Sequence, residues 1–482
     1  MKNSPYLVYF VVAAFILLLF QCRPERAYVE EQDARLEFTV DTVYFDTVLT
    51  TFGTVTRSFR VKNPYNRFVK ISEIRLAGGS SSLFRINIDG LNGPVQENLE
   101  LAPHDSMYVF VEATPAENGV PGFLRIQDSI VFVTNGNTQD VDLVAWGQDV
   151  HILRDSVLDY NAVWTADKPY LIIDGILVDT LNTLRMEPGV QVYLHRNASI
   201  YVLGTLEIAG TTEAPVEFRG DRFEAMYDNL PGQWGVIYFI TGSRANRIDN
   251  ARILNGTVGL WADSLVSTTE PVLTISNTFI NQMSYDGLLA RGTSVKAWNL
   301  AIGDCGNACA ELLYSGSYEF DHCTFGNYWR SGFALRQFPA LYIANYYGYY
   351  DTISEDVVVI RYEVRDIEKA EFRNSIIYGE NLNELVVDRH PDGQLNYLFD
   401  HCLTRIDRSK FDYTLDPDFK FIINSYDPKF DSVHVSLELD SLSPAIDQGL
   451  LDYAITHPFD LNGNSRVSDG KPDLGAFERN DL

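Results

Sequence analysis

The chain has 482 residues, with 65 acidic against 38 basic side chains and a formal net charge of −27. That charge repels polyanions and argues against nucleic acid as a partner, while leaving room for divalent cations. With 46% hydrophobic residues the chain has ample material for a large core spread over two or three domains.

In chain order, the first element is an apolar run from Leu7 to Phe20 behind the single cation Lys2, ending at Gln21 and Cys22. About 14 apolar residues fit the hydrophobic region of a signal peptide and fall short of the roughly 20 that span a bilayer. Leu19, Phe20, Gln21 and Cys22 together resemble the lipobox of bacterial lipoproteins, although Gln21 stands where a small residue is usual. The resemblance implies a signal peptide over 1–22, a lipid on Cys22 and a membrane-anchored body in the cell envelope, at the outer membrane. A linker follows over 23–35.

Residues 36–150 alternate apolar and polar side chains, as in Phe84, Arg85, Ile86, Asn87, Ile88 and in Tyr108, Val109, Phe110, Val111. Such stretches recur every 8 to 12 residues or so, with turns at Asn63–Pro64, Asp89–Gly90 and Asn135–Gly136, and this predicts an all-β sandwich. Phe59, Val61, Asn63 and Pro64 resemble the strand motif of Ig-like modules of the abnormal-spindle/hydin type.

From about 151 the pattern changes to short strands with Gly and Asn corners, and it then repeats. The apolar pairs closed by Asn255, Asn281, Gly303 and Asn327 recur about every 22 to 26 residues, the period of stacked coils. Between them lie clusters at 259–261, 287–289 and 332–335, and a third set at Leu273, Val295, Tyr318 and Leu341. Asn and Gly tolerate the left-handed backbone that tight corners need. Phe320, Asp321, His322, Cys323 return as Phe399, Asp400, His401, Cys402, about three coils later at that period.

The segment Gly210, Thr211, Pro215, Val216, Phe218, followed by Trp234, Gly235 and Ile237, resembles right-handed parallel β-helix proteins of the pectate-lyase-like superfold on bacterial envelopes. Ser443, Pro444, Ala445, Ile446, Asp447 and Asp473, Gly475, Ala476, Glu478 resemble the terminal segments of such proteins. The reading is thus all-β: an Ig-like β-sandwich, a right-handed parallel β-helix over 151–437, and a C-terminal cap over 438–482. The superfold carries lyases, hydrolases and pure scaffolds alike, so it leaves the chemistry open.

Candidate chemistry is sparse. Asp249, Asp263, Asp286, Asp304, Glu311 and Asp321, with Arg291, Arg330 and Arg336, are spread over different corners and suit solvated surface charge. Cys305, Cys309, Cys323 and Cys402 form no disulfide framework or zinc ribbon, and Cys323 and Cys402 suit buried thiols in a stack. Asp460, Asn462 and Asn464 resemble part of a calcium loop, a structural ion and the single cofactor considered.

Aromatic residues crowd the break in the repeat, where Tyr346, Tyr347, Tyr349 and Tyr350, with Trp329, offer rings to a sugar or a protein surface. The function expected is surface binding or scaffolding without catalysis, towards glycans or envelope proteins. The competing class is a carbohydrate-active enzyme, a polysaccharide lyase or glycoside hydrolase.

Overall fold

The computed structural model describes residues 26–50, 55–117, 119, 122–263, 270–329, 336–354 and 357–479. Cys22 with the rest of 1–25, Arg330 and the cluster 332–335 lie outside the described residues. The chain is all-β and divides into two compact units, Met1–Asp149 and Val150–Leu482.

In the first unit, period-2 alternation places one face of each strand inward. Ser106–Ala113 buries every second side chain, and Val109 and Val111 are fully enclosed. Two five-stranded sheets share one core built on Val61, Ile71, Ile74, Ile130 and Leu143. One orders Glu37–Phe38, Arg57–Lys62, Ser106–Ala113, Phe84–Ile88 and Leu91–Asn92; the other orders Thr42–Leu49, Asn137–Gln148, Phe123–Thr134, Val69–Leu76 and Val95–Leu101. Thr42–Leu49 pairs parallel to Asn137–Gln148.

The second unit is a parallel array in which strands recur in threes around a single core. Thr183–Met186 pairs with Thr205–Ala209, and that with Asn246–Asp249. Gln191–Leu194 pairs with Val216–Gly220, and that with Ala251–Leu254. Ser199–Val202 pairs with Trp234–Phe239, then with Gly256–Ala262. Each inward position meets the same position one coil later, so like side chains stack. Phe320, Phe372, Phe399 and Phe419 are register partners, their rings nearly coplanar in direction and 5.0, 4.9 and 4.8 Å apart. Those steps equal the spacing of neighbouring strands, so the rings stack without strain.

Phe320 and Phe399 are two register steps apart, not three, because the coil between them carries an inserted antiparallel hairpin, Tyr346–Ser354 with Val357–Val364. Asn250, Asn277, Asn299 and Asn374 take left-handed corners with φ between 47° and 53°, and Asn255 does so at 65°, whereas Asn281, Gly303 and Asn327, expected at corners, lie within the strands Leu273–Met283, Leu288–Cys305 and Thr324–Asn327. Asn299 Nδ2 donates to Asn277 Oδ1 at 2.9 Å, tying one corner to the next. Cys323 and Cys402 are fully buried with Ser375 in the register step between them, and Ser375 Oγ accepts the Cys323 N–H.

The segment expected to close the array lies along its flank instead. Leu437 packs on Gly303 and Gly326, Asn299 Nδ2 donates to the Phe459 carbonyl, and the Asn374 side chain takes both the N–H and the C=O of Leu450. This strap covers Phe279, Ala301, Ile376 and Leu403, whose side chains form a second apolar cluster with Phe430, Leu437, Leu474, Ala476 and Phe477. A strap forms here because outward apolar residues recur on several coils and need cover along the axis. At the last coil the rings of Phe411 and Tyr413 pack on Phe419.

Candidate functional site

Alternation within the coil strands puts one column of side chains on the outside. Ile200 and Val202 point inward, so Tyr201 points out; Ile237 and Phe239 do the same for Tyr238, and Leu260 and Ala262 for Trp261. The register continues through Leu289, Glu311, Tyr342 and Val386, one residue per coil. The Tyr201 and Tyr238 rings meet edge-on at 6.3 Å, and Tyr238 and Trp261 lie 4.9 Å apart.

Beside this column Asp263 gathers four donors: Tyr238 Oη (2.9 Å), Trp261 Nε1 (2.9 Å), and Arg291 Nε (3.0 Å) and Nη2 (2.5 Å). Burial, reinforced by the Asp263 charge, pushes the Tyr238 phenol up to about 12. The Arg291 guanidinium lies 5.8 Å from the Trp261 ring and 5.2 Å from the Tyr347 ring, joining the coil column to the hairpin.

The hairpin splits its tyrosines by parity. Tyr347 sits edge-on to Tyr314 at 5.1 Å and near Tyr349 at 6.0 Å, and Tyr314, on the coil strand Ala310–Asp321, donates its hydroxyl to Glu363 of the hairpin. Tyr346 belongs to the opposite face: its hydroxyl donates to Asp388 Oδ2, as does that of Tyr342, and its ring meets Tyr362 at 5.4 Å. Tyr349 is 38% and Tyr350 78% exposed. Trp329 stands apart, its ring against Gly306 and its N–H on Asn327 Oδ1. Among the described residues it makes no ring contact with the four tyrosines.

Of the acidic candidates, the structure brings Asp286 and Glu311 together. Asn307 Nδ2 donates to both, at 2.9 Å to Asp286 Oδ1 and 2.5 Å to Glu311 Oε1. Asp286 Oδ2 is buried without a hydrogen-bond partner. Burial raises both carboxyls, Asp286 to about 7 and Glu311 to about 8, with the Asp286 charge adding to the rise at Glu311. Both shifts favour the protonated form of the pair. The other acids are taken individually: Asp249 by Ser276 and Asn277, Asp304 by His434, and Asp321 by Arg373 and His457. Arg336 forms a buried ion pair with Glu384.

Asp460 accepts from the N–H groups of Asn462, Asn464 and Glu478 and from the Asn464 amide, while Asn462 Nδ2 reaches Glu438. These contacts tie a turn of the strap together. Among the described residues no group of three or more His, Cys, Asp or Glu side chains is set to hold a metal.

The sequence reading missed Tyr201, Tyr238 and Trp261 as one column and Asp286 with Glu311 as a pair. The column was within reach, since each ring sits between two inward apolar residues; the pair joins different positions of adjacent coils and left no signal.

No protein-family model matches the sequence, and none of the curated proteins matches it. Among solved structures, the catalytic domain of a GH87 alpha-1,3-glucanase is similar over 77% of this chain and 81% of its own, at 9% identity and a TM-score of 0.17. The periplasmic chaperone SfaE matches over 23% of this chain at 9% identity and a TM-score of 0.17, and the match spans 57% of the chaperone's length. The ASH / PapD-like domain of human CEP192 matches over 26% of this chain and 91% of its own, at 14% identity and a TM-score of 0.17.

Proposed function

We propose that this chain is an exported, lipid-anchored envelope protein, an Ig-like sandwich joined to a right-handed parallel β-helix, whose outer flank binds glycan without turning it over. The observation that carries the reading is the continuous run of rings and guanidinium from Tyr201 through Tyr238, Trp261 and Arg291 to Tyr347 and Tyr349. Flat apolar faces with hydroxyl edges suit sugar rings and lose little entropy on binding. The three stacked parallel ladders with left-handed Asn corners support the β-helix, and the two sheets around one core support the Ig-like unit.

The state of two of the carboxylates supports a non-catalytic role. Asp263 is saturated by its four donors, and Asp286 is fully enclosed. The alternative, a glycoside hydrolase, draws on Asp286 and Glu311, two carboxyls held on one amide. A glycan array on the detergent-purified protein, followed by an assay of reducing ends, tests both. Retained glycan with no new ends is the expected result; release of reducing ends overturns the non-catalytic reading.

A further inference from the structure

We infer that the flank takes one extended, uncharged polysaccharide chain laid along the axis of the coils, and not an anionic glycan; this rests on the glycan-binding reading above. The direction comes from the register. Tyr201, Tyr238, Trp261, Leu289, Glu311, Tyr342 and Val386 present one outward side chain per coil on successive coils. Glu311 is buried, so the accessible part of the column runs from Tyr201 to Leu289, a strip of roughly 14 Å at ~4.8 Å between neighbouring strands, which Arg291, Tyr347 and Tyr349 extend sideways. A strip that repeats at each step matches a ligand that also repeats, and a compact ligand would use only a fraction of it.

The charge class comes from what surrounds the strip. Asp263 is neutralised by the bidentate Arg291, and Asp388 is covered by the hydroxyls of Tyr342 and Tyr346. Glu363 takes the Tyr314 hydroxyl. Glu311, the one acid in the column itself, shares its amide donor with Asp286, and burial favours the protonated form of the pair. Arg291 spends its charge on Asp263 and presents a planar face between Trp261 and Tyr347. Among the described residues the column itself thus offers apolar faces and hydroxyls and no cation for a uronate or sulfate, the nearest exposed one being Arg365 over the Tyr314 ring, and the net charge of −27 repels such polymers from a distance.

The test is calorimetric titration of the full chain in detergent with neutral gluco-, manno- and xylo-oligosaccharides of rising length, and with polygalacturonate. The expected result is an affinity for a neutral series that rises with length, levels off once the chain outgrows the strip, and changes little with salt. Tyr201→Ala and Tyr349→Ala, both at exposed rings, should each weaken it about tenfold with an unchanged melting temperature. Salt-sensitive binding of polygalacturonate alone overturns the uncharged class while leaving a glycan-binding flank. Binding that ignores Tyr201→Ala, Tyr349→Ala and Trp261→Ala overturns the flank itself, and so does no binding to either kind of glycan.

Discussion

Replacing Phe372 by Ala tests the stacked core. The ring is fully buried between Phe320 at 5.0 Å and Phe399 at 4.9 Å, with Phe325 edge-on at 6.1 Å. Truncating a buried phenylalanine costs about 3–5 kcal/mol through lost transfer energy and the cavity left behind. The two flanking rings cannot close the gap, because the parallel ladders hold Phe320 and Phe399 to the strand spacing on either side. The cost should therefore be at the upper part of that range, about 4 kcal/mol. In a stacked array the damage stays near the altered coil, so hydrogen exchange is the apt assay. Amides of residues 319–321 and 398–400 should exchange roughly a thousandfold faster, the equivalent of 4 kcal/mol or so. Phe372→Leu should cost only about 1 kcal/mol. Phe421→Ala, at a ring 75% exposed, should fall within about 0.5 kcal/mol of the parent. A Phe372→Ala protein whose protection matches that of Phe421→Ala would refute the stacked-core reasoning.

The Asp286 and Glu311 carboxyls are raised by burial above their unfolded values, so the native state binds more protons and stability falls as pH rises from about 4 to about 8. Asp286→Asn should flatten that part of a plot of melting temperature against pH, and identical slopes would refute the raised pair. Glu384→Gln leaves the buried Arg336 charge uncompensated and should destabilise by roughly 3–5 kcal/mol in denaturant melts; a change under about 1 kcal/mol would show the pair to be solvated. Gly326→Ala brings a Cβ within 2.8 Å of Leu437 Cδ2, so limited proteolysis should cut the strap faster than in the parent; equal rates would mean that the strap does not depend on that contact. Cys22→Ser should move the protein from the detergent to the aqueous phase of a cloud-point separation, and unchanged partition would remove the lipid anchor.

Much of the fold was legible because its rules are local. Alternation of apolar and polar residues marks strands wherever one face is buried, whereas the corners were only partly legible: Asn255 is left-handed as expected, but the others fall at Asn250, Asn277, Asn299 and Asn374 and not at Asn281, Gly303 or Asn327. The same parity rule assigns Tyr347 and Tyr349 to one face of the hairpin and Tyr346 and Tyr350 to the other, although the sequence reading grouped all four. Trp329 was joined to them by nearness in sequence, and the fold separates them because it lies just past the coil strand Thr324–Asn327 while they begin an insertion after Leu341–Ala344.

The sequence by itself thus determined the all-β character and the stacking of like residues, since each depends on neighbours one strand or one coil away. Tertiary structure alone decided the rest. It put the C-terminal segment along the flank, because Gly303 and Gly326 leave room for Leu437 there. It paired Asp286 with Glu311 through Asn307, and Arg336 with Glu384 from a later coil. Those contacts depend on where insertions shift the coils, and a shift of one residue would turn each of these side chains to the opposite face.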